Sequence, residues 1–250
     1  MTDTETLPLL DNPFWHALRG PQRALGQVGK LAARYRPQVS AMAGLESDTP
    51  AAWTELDTLT APGEIAALFG PVLLDAPGGW TRVAQFATVQ MVQTGQAAAL
   101  PSPDGLLGKA LTLQDVPAML DLVGLTRPGP FQPGTIEMGL YLGLWDESGP
   151  TGPRLAAMTG QRARLPGACE ISAVCTHPEY RRRGLARALV SQVAALTRES
   201  GLTPFLHVAP DNAAAQATYR QLGFVPRREI WVSVMRRGED ARPGLAALTP

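Results

Sequence analysis

The stretch from residue 171 to residue 199 constrains the fold more than any other part of this sequence. Residues 171–175 form a short apolar run with the length and β-branched content of a strand. A polar turn that contains Pro178 and Gly184 follows. Beyond the turn, apolar residues recur at helical spacing on one face, at Leu185, Leu189, Val193 and Leu196. The sequence therefore predicts a strand that leads through a turn directly into an amphipathic helix.

The turn between this strand and helix has the composition of an anion site. It carries three consecutive arginines, at residues 181–183, followed by Gly184. The first backbone N–H groups of a helix have no partner within the helix, and the helix dipole adds partial positive charge there. A glycine lets the backbone approach a ligand without a Cβ in the way. We expect this turn to hold a phosphate group.

Composition excludes several classes of protein. The formal net charge is zero, which argues against a general nucleic-acid binder or a polybasic membrane binder. No run of 18 or more apolar residues occurs, so we expect no transmembrane helix, and the acidic start of the chain does not resemble a secretory signal. Two cysteines and three histidines at these spacings suggest no metal site. We expect a cytoplasmic protein that binds no nucleic acid and no membrane.

The pattern along the chain suggests two regions. Residues 94–105 are small, polar and proline-containing, which is typical of a linker. Before them, residues 1–105 mix helical and strand patterns without a chemical motif; residues 64–69 have a helical pattern and residues 71–74 a strand pattern. After them, residues 106–250 predict a mixed α/β fold with a central sheet flanked by helices. Its strand–helix–strand unit over residues 171–208 requires two parallel strands and a right-handed crossover.

Two motifs in the second region resemble a known superfamily. The turn R-R-R-G-L-A at residues 181–186 resembles the acetyl-CoA pyrophosphate motif Q/R-x-x-G-x-G/A of the GNAT N-acetyltransferases, and V-C-T-H-P-E-Y before it resembles that family's lead-in. Residues 212–224, N-A-A-A-Q-A-T-Y-R-Q-L-G-F, resemble its second motif. The resemblance covers about residues 106–236. Within it, the segment A-V-C-T-H-P-E-Y is similar to glycine N-acyltransferase C-terminal domains. Residues 1–105 are either a degenerate copy of this fold, which we favour, or a lid over the acceptor site.

The resemblance implies a binding site for acetyl-CoA as co-substrate, with no metal. The pyrophosphate is expected at the turn and the first helical turn, formed by Arg181, Arg182, Arg183, Gly184, Leu185, Ala186 and Arg187. The pantetheine arm is expected beside the strand residues Val174, Cys175 and Thr176, in a gap where this strand splays from its parallel neighbour. A backbone N–H near Val174 would polarise the acetyl carbonyl. Asn212 either caps a helix or contacts the pantetheine arm.

The resemblance also implies two catalytic residues. Tyr219 is expected to protonate the departing CoA thiolate, because a phenol is protonated at neutral pH; the alternative is a tyrosine of the core. Glu170 is expected to be the base, either directly or through water, or else a carboxylate at the end of a strand. Strand alternation would place Glu170, Ser172, Val174 and Thr176 on one side and Cys175 on the other. Other candidate bases are Glu137, His177 and His207.

The resemblance therefore implies an acetyl-CoA-dependent N-acetyltransferase in which a primary amine attacks the thioester directly. The acceptor would be a small molecule or a peptide, and we consider a homodimer possible. The alternative is a non-catalytic acyl-CoA-binding or sensor module. A generic nucleotide binder is a third hypothesis, against which the absence of G-x-x-x-x-G-K-[ST] and G-x-G-x-x-G patterns counts.

Overall fold

The structure is a computed structural model that describes residues 6–95, 99–102, 106–148 and 152–239. Its strands are β1 (Gly26–Val28), β2 (Ala32–Tyr35), β3 (Met42–Leu45), β4 (Ile65–Gly70), β5 (Trp80–Gln93), β6 (Leu107–Ala110), β7 (Tyr141–Asp146), β8 (Arg154–Leu165), β9 (Ala168–Thr176), β10 (Thr203–Val208) and β11 (Phe224–Arg237). Its α-helices are α1 (Thr6–Leu9), α2 (Pro13–Leu18), α3 (Pro50–Leu59), α4 (Val116–Thr126), α5 (Leu185–Glu199) and α6 (Ala213–Gln221). Short 3₁₀ turns occupy Arg23–Leu25, Leu113–Asp115, Pro133–Met138 and Pro178–Tyr180.

All described strands belong to one sheet, in the order β1-β2-β3-β4-β11-β5-β10-β9-β8-β7-β6. Two neighbouring pairs are parallel, β3 with β4 and β9 with β10, and the other pairs are antiparallel. The predicted β9–α5–β10 unit and the mixed α/β class are therefore confirmed.

The two halves of the sheet repeat one arrangement. Strands β1 to β4 follow each other with the same order and directions as β7 to β10, and in both halves a helix, α3 or α5, connects the parallel pair. Each half then exchanges its last strand, because β5 lies against β10 and β11 lies against β4. This repeat favours the interpretation of residues 1–105 as a degenerate copy. Strands from before and after residue 105 belong to the same sheet, so the division into two domains stays a prediction.

Two local expectations in the first half are wrong. Residues 64–69, expected as a helix, belong largely to β4, and residues 71–74, expected as a strand, form no regular element. A short apolar run such as I-A-A-L-F is compatible with either a buried strand or a buried helix. Here β4 lies between β3 and β11, and four of its six residues are buried.

Helices cover both faces of the sheet around the site. On one face, α5 packs Val190, Val193 and Ala194 against Ile171 of β9 and Leu206 of β10. On the other face, Phe14 and Leu18 of α2 pack against Phe205 of β10. Adjacent residues of β10 therefore point to opposite faces. These two layers hold β9 and β10 from both sides at the point where the two strands separate.

Candidate functional site

The cleft opens where β9 and β10 part. The two strands pair only from Ala168–Thr203 to Glu170–Phe205, although both continue beyond this point. A cleft of about 480 Å³ begins there. The expected gap between the parallel strands is therefore present. The predicted site residues that line it are Glu170, Val174, Cys175, Thr176, Arg181, Asn212 and Tyr219.

A bulge changes which side chains of β9 face together. The register with β8 shifts between Ser172 and Cys175, and Ala173 has a positive φ of 52°. Ile171 and Val174 pack with the α5 face, whereas Ala173 and Cys175 pack with the α4 face. The expectation that Glu170, Ser172, Val174 and Thr176 share one side is therefore wrong, because two-residue alternation ends at the bulge. Cys175 does point away from Val174, as expected.

The anion site at the start of α5 has the predicted backbone. Gly184 is the residue before the helix and has a φ of +77°, and Arg182 has a φ of +63°. The Ala188 N–H bonds to the Gly184 carbonyl at 3.0 Å, so Leu185, Ala186 and Arg187 form the first turn, whose N–H groups lack helical partners. Of residues 181–187, only Arg181 lines the cleft.

The side chains of this turn have different surroundings. Leu185 is buried in the core, so only its backbone can serve a ligand. The Arg183 guanidinium lies 5.4 Å from the ring centre of Tyr180. The Tyr180 hydroxyl donates a hydrogen bond to Asp146 at 2.5 Å, which anchors the turn to β7. Arginines 181–183 make no ion pair with the described residues, although the charge of Arg183 helps to lower the pKa of Asp146.

Asn212 and Tyr219 lie on opposite ends of α6 along one wall of the cleft. The Asn212 Oδ1 accepts a hydrogen bond from the Ala215 N–H at 3.1 Å, so Asn212 is the helix cap and its amide nitrogen remains available. Burial raises the pKa of Tyr219 to about 12. Its hydroxyl makes no hydrogen bond within the part of the chain that the structure describes. The phenol is therefore a protonated donor with no protein acceptor.

Glu170 lies at the bottom of the cleft and is fully buried. Arg162 donates to both carboxylate oxygens, from Nε at 2.8 Å and from Nη2 at 2.5 Å. Burial by itself would raise the pKa of Glu170, but Arg162 and His207 lower this pKa to about 2. A carboxylate with both oxygens occupied and a depressed pKa is a poor proton acceptor, so this geometry argues against Glu170 as the direct base.

His207 connects Glu170 to the first half of the chain. Its Nδ1 lies 2.7 Å from Glu170 Oε1, and its Nε2 lies 3.1 Å from Gln90 Nε2. The Gln90 orientation is fixed, because its Oε1 accepts from Arg227 at 2.7 Å and its Nε2 donates to the Leu10 carbonyl at 2.8 Å. With Gln90 as donor, His207 Nε2 must accept, and Nδ1 carries the proton toward Glu170.

The remaining candidate bases lie in other surroundings. Glu137 does not line the cleft; it pairs with Arg36 at 2.8 Å on the surface. His177 accepts a hydrogen bond from the Glu179 N–H at 3.3 Å and caps the 3₁₀ turn Pro178–Tyr180. Burial raises the pKa of Cys175 to about 11, so this cysteine is a thiol rather than a nucleophilic thiolate.

Sequence reasoning missed three residues of the site. Arg162 of β8 binds Glu170, Gln90 of β5 binds His207, and Arg127 after α4 lines the cleft. Arg162 and Gln90 stand in strands without a motif, and only the order of β5, β10, β9 and β8 brings Arg162 to Glu170 and Gln90 to His207. The sequence contained one signal for Arg162, because a charged residue in a largely buried strand such as β8 needs a partner of opposite charge.

The described residues contain neither a cluster suited to a metal ion nor a helix suited to a membrane. No group of three or more His, Cys, Asp or Glu in residues 6–95, 99–102, 106–148 and 152–239 could hold a metal ion. No helix in that part of the chain is long and apolar enough to cross a membrane.

Comparison with known proteins matches this geometry to one family. The family model described as FR47-like protein matches residues 141–232. A crystal structure from Novosphingobium aromaticivorans, described as a member of the GNAT family, is 33% identical with a TM-score of 0.81; the match covers 93% of this chain and 99% of that one. A search of curated proteins found no match.

Two more distant structures share the fold. A GCN5-related N-acetyltransferase from Kribbella flavida is 18% identical with a TM-score of 0.58, and the match covers 92% of this chain and 95% of that one. A GCN5-related N-acetyltransferase-like protein from Streptococcus suis is 14% identical with a TM-score of 0.55, over 93% of this chain and 98% of that one. These likenesses extend over both halves of the sheet. None distinguishes the glycine N-acyltransferase subgroup, which stays a prediction.

Proposed function

Since this chain belongs to the GNAT superfamily of acyltransferases, we propose that it transfers the acetyl group of acetyl-CoA to a primary amine by direct attack. The observation that carries the proposal is the order of features along the cleft. The arginine-rich turn before α5 lies at one end, the Tyr219 phenol lines the wall, and β9 and β10 part between them. The amine would enter opposite the phosphates.

The turn and the strand fit the parts of CoA in order. The N–H groups at the start of α5, with arginines 181–183, suit the pyrophosphate. Beyond Glu170, the edge of β9 that faces β10 has no strand partner, so its backbone can bond the pantetheine amides. The N–H of Val174, beside the bulge, would polarise the thioester carbonyl. The free amide of Asn212 would contact the same arm.

Tyr219 is the proposed acid. Its hydroxyl has no acceptor in the described protein, and its raised pKa keeps it protonated at neutral pH, so it can donate a hydrogen bond to the sulfur. As the carbon–sulfur bond breaks, the phenol would pass its proton to the thiolate, and CoA would leave as the thiol. The proton that the amine nitrogen loses on becoming an amide would return to the Tyr219 phenolate through water.

Glu170 is proposed to position Arg162 and His207 rather than to accept a proton itself. Arg127 and Arg162 line the cleft away from the phosphate turn, and Glu170 is the single carboxylate among the described residues of the lining. Positive surroundings lower the pKa of an amine that binds there, which favours the neutral nucleophile without a dedicated base. The rate should therefore rise with pH until the bound amine is neutral. The expected cytoplasmic location and homodimer remain predictions.

The test is release of the CoA thiol from acetyl-CoA across a panel of amines. The panel should contain amino acids, simple alkylamines, polyamines and peptides with free N-termini. Release that requires one class of amine supports the proposal. Tight binding of acetyl-CoA with no release on any amine would instead identify a non-catalytic acyl-CoA sensor.

A further inference from the structure

A small side cavity joins the acceptor end of the cleft. It has a volume of about 10 Å³ and lies beneath the loop of residues 128–131. Pro128, Arg162, Ser172 and Ala173 line both this cavity and the main cleft, so the two spaces are adjacent. A volume of this size holds about one water or one ligand oxygen.

Three hydrogen-bond donors without partners meet at this junction. The Tyr141 hydroxyl is buried and has no hydrogen bond, which costs stability unless a ligand or water satisfies it. The Ser172 hydroxyl and Arg162 Nη1 also make no hydrogen bond in the part of the chain that the structure describes. Burial raises the pKa of Tyr141 far above neutral pH, so the phenol is always a donor. These donors come from three adjacent strands, β7, β8 and β9.

The charges around the junction favour an anion. Arg127 and Arg162 are the cations at this end, and Arg127 makes no ion pair with any described residue. Glu170 is the one carboxylate among the described residues that line the two spaces, and Arg162 and His207 already occupy it. No acidic side chain there is free to receive a second ammonium group, as a polyamine would require.

We infer that the acceptor is an amine that also carries an anionic group, and that Tyr141, Ser172 and Arg162 bind this group where the side cavity opens into the cleft. One oxygen of the group would enter the side cavity and replace a water on the Tyr141 hydroxyl. The amino group would then lie in the main cleft, toward Val174. This inference rests on the proposed function and names the substrate class of the same site.

The first test compares matched acceptors. β-Alanine is paired with its amide, and 2-aminoethanesulfonate with ethanolamine, at saturating acetyl-CoA. Rates are expressed per neutral amine, so that differences in amine pKa do not enter. We expect kcat/KM at least tenfold higher for the anionic member of each pair. Equal or higher values for the neutral members would overturn the inference while leaving the proposed function intact. No acetylation of any amine would instead refute the proposed function.

The second test removes the hydroxyl alone. Tyr141→Phe deletes a group without a protein partner, so Tm should stay unchanged or rise. We expect kcat/KM to fall about tenfold for anionic acceptors. The kcat/KM for neutral acceptors and the KM for acetyl-CoA should stay the same as in the wild type. Tyr35→Phe is the matched control, because that buried hydroxyl donates to Gln22 at 2.5 Å and lies outside both spaces. It should lower Tm without altering the preference. An equal loss on both members of a pair in Tyr141→Phe would contradict anion binding.

Discussion

The ion pair between Glu170 and Arg162 should be the most sensitive polar contact in the cleft. Glu170→Gln removes the negative charge and one of the two acceptors while keeping the shape of the side chain. Arg162 would then be a buried cation, with 11% of its side chain exposed, and no carboxylate beside it. Loss of one partner of a buried pair costs about 3–5 kcal/mol. The depressed pKa gives a similar figure, since a shift from 4.5 to about 2 corresponds to about 3 kcal/mol.

The assay is urea unfolding at pH 7, with Glu137→Gln as the control. Glu137 also pairs with an arginine, but its side chain is 40% exposed, and such pairs contribute about 0–1 kcal/mol. Glu170→Gln should lower the free energy of unfolding by about 3–5 kcal/mol, which for a protein of this size corresponds to a fall in Tm of roughly 6–20 °C. If both variants have the same stability, the ion pair does not hold this end of the cleft.

The pH dependence gives the same prediction a second measurement. The pKa of Glu170 is lower in the folded state, so its contribution is complete above the unfolded pKa and is lost as pH falls toward about 2. The stability difference between wild type and Glu170→Gln should therefore shrink from pH 5 to pH 3. A difference that stays constant over this interval would show that the carboxylate does not carry the effect.

Three other substitutions test the remaining parts of the site. Tyr219→Phe should lower kcat about 100-fold and leave the KM for acetyl-CoA unchanged; an unchanged kcat would remove Tyr219 from the chemistry. Cys175→Ala should retain activity in steady-state assays. A variant that folds normally but has no activity would indicate an acyl-cysteine intermediate. Gly184→Ala should weaken CoA binding in calorimetry, since a φ of +77° strains alanine by about 1–2 kcal/mol. Gly124→Ala within α4 is its control and should bind CoA normally.

The parts of the site that follow from contiguous residues could be predicted from the sequence. Three of these parts each lie within a single motif: the β9–α5 connection, the helix cap at Asn212, and Tyr219 in the helix that Asn212 caps. Helix periodicity and capping are local properties, and a parallel pair that a helix connects has few alternatives. The resemblance then indicated where the strands would separate.

The parts that depend on strand order could not be predicted. Arg162 and His207 reach Glu170 only because β8, β9 and β10 are neighbours in this register. Gln90 reaches His207 only because β5 is exchanged into the second half. The bulge at Ala173 has no sequence marker, since a non-glycine residue with positive φ is uncommon. Periodicity alone therefore gave the wrong facing for Val174.

The fate of a labelled acetyl group tests the central claim most directly. The protein is mixed with acetyl-CoA that carries an isotopic label in the acetyl group, first alone and then with the amine that releases CoA fastest. Mass spectrometry follows both the amine and the intact protein. We predict that the label appears on the amine nitrogen only after the amine is added, and never on the protein. Label on the protein before the amine is added, or no labelled amine at all, would contradict direct transfer in this cleft.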